Sequence, residues 1–218
     1  MVRGYRRAGF LRYAAVQFVV LIAAAMIAYP GGTWLDPSTR RYLLTRNFLS
    51  DLGATHAFGG EPNHVSQALF SIAMVTLGCA LVAFAWTWRA FAYRLGKARA
   101  AGIASSLFGT ASGVAFAAIP AAPIDLTVPI HNSIVIAAFG ALLGYAISLT
   151  IVMGHNRVGR FVTNLVYLVL VFSYFVLVLY GFQMHSERGF ELLVISQKLI
   201  ACVSMIHIVY LTTIVRRI

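Results

Sequence analysis

Charge is what this sequence most lacks. Only 11% of its 218 residues are Asp, Glu, Lys or Arg, against about a quarter in an ordinary soluble domain. Acids are scarcest, six against 17 basic residues, for a formal net charge of +11. The chain is 60% hydrophobic, with a mean hydropathy of +0.82. A soluble core of this size could not hide so much apolar surface, so the solvent for most of the chain is lipid. Cysteine is also scarce. Cys79 and Cys202 each lie inside an apolar run, which argues against a structural disulfide and leaves both as packing residues. There is no HExxH, HxxxH or CxxC, no Gly-rich phosphate loop and no Rossmann pattern, so no metal site or other cofactor is expected.

The excess of positive charge would suggest nucleic acid in a soluble protein. Here the basic residues cluster at the ends of apolar runs, and membrane topology explains them better. Six such runs are present, at about 10–29, 64–86, 100–119, 130–152, 161–182 and 189–215. The first follows the basic stretch Met1–Arg7 and contains Ala23-Ala24-Ala25, as a signal peptide could. It is near 20 residues long, beyond the roughly 7–15 of a secretory core, and reads as an uncleaved span. The expected fold is an all-α integral membrane protein, one six-helix transmembrane domain over 1–218.

Charge sets the orientation. One side carries Arg3, Arg6, Arg7, Arg12, Arg89, Arg94, Lys97, Arg99, Arg157, Arg160, Arg216 and Arg217, and no acid. The other carries Arg40, Arg41, Arg46, Arg188 and Lys198 together with all six acids. The positive-inside rule then makes both termini cytoplasmic, in a cell (inner) membrane. Small residues step by four along two spans, as Ser105, Gly109 and Gly113, and as Gly140, Gly144 and Ser148. That spacing lets helices approach closely in lipid.

The external side gathers the polar side chains. Pro30-Gly31-Gly32 breaks the first helix, and Asp36-Pro37 reads as an N-cap with Pro at the first helical position. Leu44, Phe48 and Leu52 then recur every four residues before Gly53, predicting a short interfacial helix in the first external loop. Asn47 and Asp51 fall on one face of it, with Ser50 beside them. His64 and Gln67 open the second span, Asp125 sits in the proline-stiffened second external loop, and His131 and Asn132 lie just inside the fourth span. Gln197 and Lys198 lie within the sixth, about ten residues from its outer end, roughly 15 Å along the helix. A lipid-facing cation there would cost about 2.5–3.5 kcal/mol or more. Lys198 therefore requires the bundle interior, an outward path or an anion. Asp51 is the leading partner, with Glu191 and Asp125 as the others.

Other chemistries find less support. His64, His131 and His185 could meet at the outer face with Asp51 or Asp125 to hold zinc, and His207 stands without an obvious haem partner. Ser50 with His64 or His131 and Asp125 supplies the residue types of a hydrolase triad, but no GxSxG surrounds Ser50. His56 and His155 read as loop residues.

Short elements of the chain resemble a known family. They are Asn47-Phe48-Leu49-Ser50-Asp51-Leu52-Gly53, Pro62-Asn63 opening a span with Leu69-Phe70, Pro123-Ile124-Asp125 followed by His131-Asn132, and Gln197-Lys198. Together they resemble the DUF998 family of six-span prokaryotic membrane proteins, whose function is uncharacterised. A fainter similarity points to the Frag/DRAM family, with a comparable Ser-Asp loop ahead of a span. The resemblance implies six helices and an external polar cluster, and its eukaryotic relatives tilt the expectation toward lipid.

Three functions follow as alternatives. The first is a protein with an outward-facing polar pocket that binds or modifies a membrane lipid or a small amphiphilic ligand. The pocket would be built from Asn47, Ser50, Asp51, His64, Gln67, Asp125, His131, Asn132, Gln197 and Lys198, with Lys198 and Gln197 on a head-group oxygen. The second is a small proton-coupled transporter, although no internal repeat is seen. The third is a structural or accessory subunit. Nothing in the sequence decides between enzyme and non-enzyme, or sets the oligomeric state.

Overall fold

A computed structural model describes residues 2–92, 96–155, 161–181 and 186–215. His185 and the basic residues Arg94, Arg157, Arg160, Arg216 and Arg217 lie outside the described residues. Six long helices carry the chain: α1 (Val2–Ala28), α2 (His64–Ala92), α3 (Arg99–Ala118), α4 (Val128–His155), α5 (Phe161–Gly181) and α6 (Glu187–Val215). Each contains a stretch long and apolar enough to cross a membrane: Gly9–Ala28, His64–Trp86, Arg99–Ala121, Val128–Gly154, Phe161–Tyr180 and Glu187–Thr213. Large side chains such as Ile27, Val162 and Ile206 stand exposed on the outer faces. A helix that is apolar all round suits lipid on one side and protein on the other.

The helices close into a ring. Each packs on its neighbour in sequence, and α6 returns to α1. Lipid supplies no hydrophobic drive between helices, so close approach and hydrogen bonds hold such seams. Both devices are present. At the α2–α3 seam a Cβ on Gly78 would lie 2.4 Å from the Gly113 carbonyl oxygen. Polar pairs then bridge every seam in turn. Gln17 reaches Thr76 between α1 and α2 (3.5 Å), and Ser106 donates to the Ala85 carbonyl between α3 and α2 (2.6 Å). Ser112 donates to the Ala138 carbonyl between α3 and α4 (3.1 Å). Asn164 donates to Thr150 between α5 and α4 (3.0 Å), and His207 pairs with Asn164 between α6 and α5 (2.8 Å). Arg12 donates to Thr212 and closes the ring between α1 and α6 (2.6 Å).

Two expectations need correction. Cys79 and Cys202 are exposed free thiols on outward helix faces, so they do not pack the interior. The helix predicted from Asp36 onward is reduced to one 3-10 helix, Leu49–Gly53, preceded by turns. Polar side chains take the backbone groups that a helix would have paired. Asp36 Oδ1 accepts the Ser38 amide and hydroxyl, Asn47 Oδ1 accepts the Leu43 N–H, and the Tyr42 hydroxyl reaches the carbonyls of Asn47 and Phe48. The four-residue apolar rhythm accordingly marks no single face: Leu44 is 61% exposed and Leu52 is 0% exposed.

The first loop is folded tightly on itself. Gly31 and Gly32 have φ of +137° and +83°, and the Gly32 N–H donates to the Thr39 carbonyl at 2.7 Å. A Cβ on Gly32 would lie 2.0 Å from the Gly59 nitrogen. Three passes of the loop therefore meet where only glycine fits.

Candidate functional site

The loop is fastened to three helices before it forms any pocket. Asn63, ahead of α2, sends its side-chain amide to the carbonyls of Leu52 (3.1 Å) and Ala54 (3.0 Å), and Ser66 adds a bond to Leu52 (3.1 Å). These carbonyls belong to the end of the 3-10 helix, where backbone acceptors are left over. Before α4, the Asp125 carboxylate accepts the Thr55 amide and hydroxyl and the His56 amide. Burial would push Asp125 upward, yet those Thr55 and His56 donors hold it below the usual carboxylate range. From α6 come three contacts: Glu191 to Arg46 (3.1 Å), Gln197 Oε1 accepting the Leu49 N–H (2.7 Å), and Lys198 Nζ donating to the Asn47 carbonyl (2.5 Å).

Lys198 therefore forms no direct ion pair with Asp51. Its ammonium also donates to the Val194 carbonyl (3.3 Å) and stands 5.4 Å from the centre of the Tyr42 ring. Glu191, another expected partner, is taken by Arg46. Two backbone carbonyls and an aromatic face answer the half-buried cation. Asp51 acts on it only through the field between them.

Asp51 is 3% exposed. Its Oδ2 accepts the Asn47 side-chain amide (3.1 Å) and the Phe48 N–H (2.8 Å), which caps the start of the 3-10 helix. Burial pushes the carboxyl up to about 7, against the lowering effect of those two donors and of the Lys198 charge. The Oδ1 atom accepts no hydrogen bond from a described residue. Tyr42, whose hydroxyl lies in the same buried cluster, is pushed upward by burial and by the Asp51 charge.

Beneath the loop lies a chamber of about 430 Å³. Its roof is Trp34, Phe48, Ser50, Asp51 and Phe58 of the first loop, with Ile124 and Asp125 of the second. Its walls come from α4 (Val128, His131, Asn132, Val135), α5 (Tyr174, Val178) and α6 (Phe190, Leu193, Gln197). A second, tighter chamber of about 110 Å³ runs inside the ring and takes lining residues from all six helices. It is almost wholly apolar, with residues such as Phe18, Met74, Phe84 and Leu142. Ser50, Val135 and Gln197 line both chambers and so form the partition between them.

Six of the ten sequence-derived site residues line the upper chamber: Ser50, Asp51, Asp125, His131, Asn132 and Gln197. Four do not. Asn47 is fully buried and holds the loop together, donating to the Gly32 carbonyl as well as to Asp51. Lys198 serves the backbone. His64 is exposed at the start of α2, and Gln67 is half-buried one turn on. Among the described residues no three His, Cys, Asp or Glu side chains group as metal ligands.

His131 has a defined tautomer. Its Nδ1 meets the Ala122 carbonyl at 2.7 Å, and a carbonyl only accepts, so Nδ1 carries the hydrogen. The Nε2 atom of the neutral ring then keeps its lone pair. A second buried imidazole resolves in the same way. Thr150 gives its hydroxyl hydrogen to the Ala146 carbonyl, so it accepts from the Asn164 amide. The Asn164 oxygen then faces His207 Nε2, which must donate. Tyr167 stacks on His207 with ring centres 3.8 Å apart and pairs with Ser204 at 3.2 Å. Tyr167, Ser204 and His207, with Gln197, are also the polar residues of the lower chamber on α5 and α6.

Sequence reasoning missed the aromatic lining of the upper chamber: Trp34, Phe48, Phe58, Tyr174 and Phe190. Trp34 meets Phe58 edge to face at 5.9 Å, and Phe48 meets Phe190 at 5.2 Å. These residues come from the first loop, α5 and α6, and no periodicity joins them.

A family model described as "Protein of unknown function (DUF998)" matches residues 13–214. No curated protein and no solved structure matches the chain.

Proposed function

The chain belongs to the DUF998 family of proteins of unknown function, and on that premise we propose that this multi-pass membrane protein binds a single lipid-like amphiphile. The head group occupies the upper chamber, and the tail enters the apolar chamber inside the ring. One observation carries this reading: an upper chamber that sets Asp51, Asp125 and His131 among apolar walls abuts an almost wholly apolar lower one at Ser50, Val135 and Gln197. The upper volume of about 430 Å³ falls in the range of ordinary ligand sites, roughly 300–1,000 Å³, which combine apolar walls with a few polar groups. The charge asymmetry of the turns supports an outward-facing site, with both termini cytoplasmic in the cell membrane.

The test is lipid analysis of the full chain purified into nanodiscs. Amphiphile should co-purify above the level of an unrelated six-span control. Ser50→Trp, which plugs the partition, should abolish that excess. Ala201→Leu, within the lower chamber, serves if the first variant does not fold. No excess lipid, or excess unaffected by a folded plug variant, sinks the reading.

A further inference from the structure

The geometry points to a protonated amine as the head group that the upper chamber takes, a ligand class that rests on the amphiphile reading above. Among the described residues no Lys or Arg lines this chamber. Its charged side chains are the carboxylates Asp51 and Asp125. Lys198, next in the chain to the lining residue Gln197, is turned onto the carbonyls of Asn47 and Val194 and the Tyr42 ring. An anionic head group would therefore meet carboxylates without a lining cation.

Two of the lining polar side chains are buried, Asp51 and His131, and on each the atom without a described partner can accept, Asp51 Oδ1 when the carboxyl is ionised. Asp51 Oδ1 is on a side chain only 3% exposed, whose other oxygen is already satisfied. His131 Nε2 is on a ring also 3% exposed and held by its Nδ1–H bond to Ala122. An acceptor that opens into a chamber with mostly apolar walls gains from a ligand that donates to it. A hydroxyl brings one donor, whereas a primary ammonium brings three and a positive charge. The aromatic side chains around these atoms offer ring faces that attract a cation. Trp34, 69% exposed at the roof, stands where such a group would enter. Lys198 offsets part of the Asp51 charge and Arg46 pairs with Glu191, whereas the Asp125 carboxylate, held by the Thr55 and His56 donors, has no ion-pair partner among the described residues.

The experiment is a competition assay on the full-length wild type in phosphatidylcholine nanodiscs, with empty nanodiscs subtracted. Tritiated dodecylamine is the probe. Unlabelled dodecylamine, dodecyltrimethylammonium, dodecanol and dodecyl sulfate compete. Dodecylamine should displace the probe at concentrations at least tenfold below dodecanol, with the trimethyl compound between them and the sulfate weakest. Asp51→Asn, which keeps an oxygen for the Asn47 and Phe48 donors, should bring amine and alcohol within about threefold. If that variant does not fold, Trp34→Leu should narrow the same gap. Equal competition by amine and alcohol overturns the amine assignment and leaves the amphiphile reading standing. Tightest competition by the sulfate, or an undiminished amine preference in a folded Asp51→Asn, also overturns it. Failure of all four compounds to bind removes the amphiphile reading itself.

Discussion

The Lys198 ammonium donates to the backbone carbonyl of Asn47, 151 residues away in the chain. The Asn47 side chain in turn donates to Asp51 Oδ2. Cation and acid are thus joined through one asparagine rather than paired directly. Lys198→Met should lower unfolding free energy by about 1.5–3 kcal/mol, the usual worth of hydrogen bonds to a charged donor. A melting curve in detergent measures it. An unchanged midpoint would mean that the loop does not depend on α6 for its docking.

Asn47 is the busier partner. It donates to Gly32 and Asp51, accepts from Leu43, and is 0% exposed. Asn47→Ala should cost about 3 kcal/mol or more, since it strands several buried backbone and carboxylate groups. Asn47→Asp should be worse at high pH than at low, because two carboxylates would then share the site. Melting midpoints of both variants at pH 5 and pH 8 separate these effects.

Asp51 makes stability depend on pH. Burial holds its folded pKa at about 7 against an ordinary 3.8, so the folded protein holds an extra proton between those values. Where the folded state binds more protons, stability falls as pH rises. The contribution is complete below about pH 4, declines through pH 7 and is flat beyond. The groups facing Asp51 are Asn47, Phe48, Lys198, Tyr29 and Tyr42, and Asp125 lines the same chamber. Asp51→Asn should flatten the midpoint-against-pH curve over that window. A slope that survives the substitution assigns the dependence to another group.

Gly32 and Gly60 offer a matched pair. Both have positive φ, +83° and +91°. A Cβ on Gly60 meets nothing within 4 Å, whereas one on Gly32 meets the Gly59 backbone at 2.0 Å. Gly60→Ala should cost about 1–3 kcal/mol from strain alone. Gly32→Ala should prevent the loop from forming, with no monodisperse protein recovered by size exclusion. Equal yields would count against the three-way contact.

The helices were legible because nothing in the chain competes with them. Six apolar runs with basic ends leave few other solutions in lipid. The polar residues of the chamber were also legible as types, since Asp51, Asp125, His131 and Gln197 are expensive in or near a membrane. The answer to Lys198 was not. Charge arithmetic looks for an acid, whereas the structure uses main-chain carbonyls, which every residue carries and no sequence marks. The same blindness hid the turn structure of 36–48. There Asp36, Tyr42 and Asn47 bond to the backbone nearby, and an apolar spacing of four imitates a helix. Trp34 and Phe190 escaped because each is one of many aromatics until the fold brings them to one wall.

The ring that ends with α6 against α1 also has a temporal meaning. Helices α1 to α4 can each settle on the neighbour made just before. The contacts of Glu191, Gln197 and Lys198 with the first loop, and of Arg12 with Thr212, must wait for the sixth span. During synthesis the Asn47 carbonyl and the Leu49 amide stand without their α6 partners in a loop whose own bonds can already form. Membrane insertion of α6 is thus the step that locks a chain threaded long before, and truncation ahead of it leaves an open horseshoe with its lower chamber unsealed.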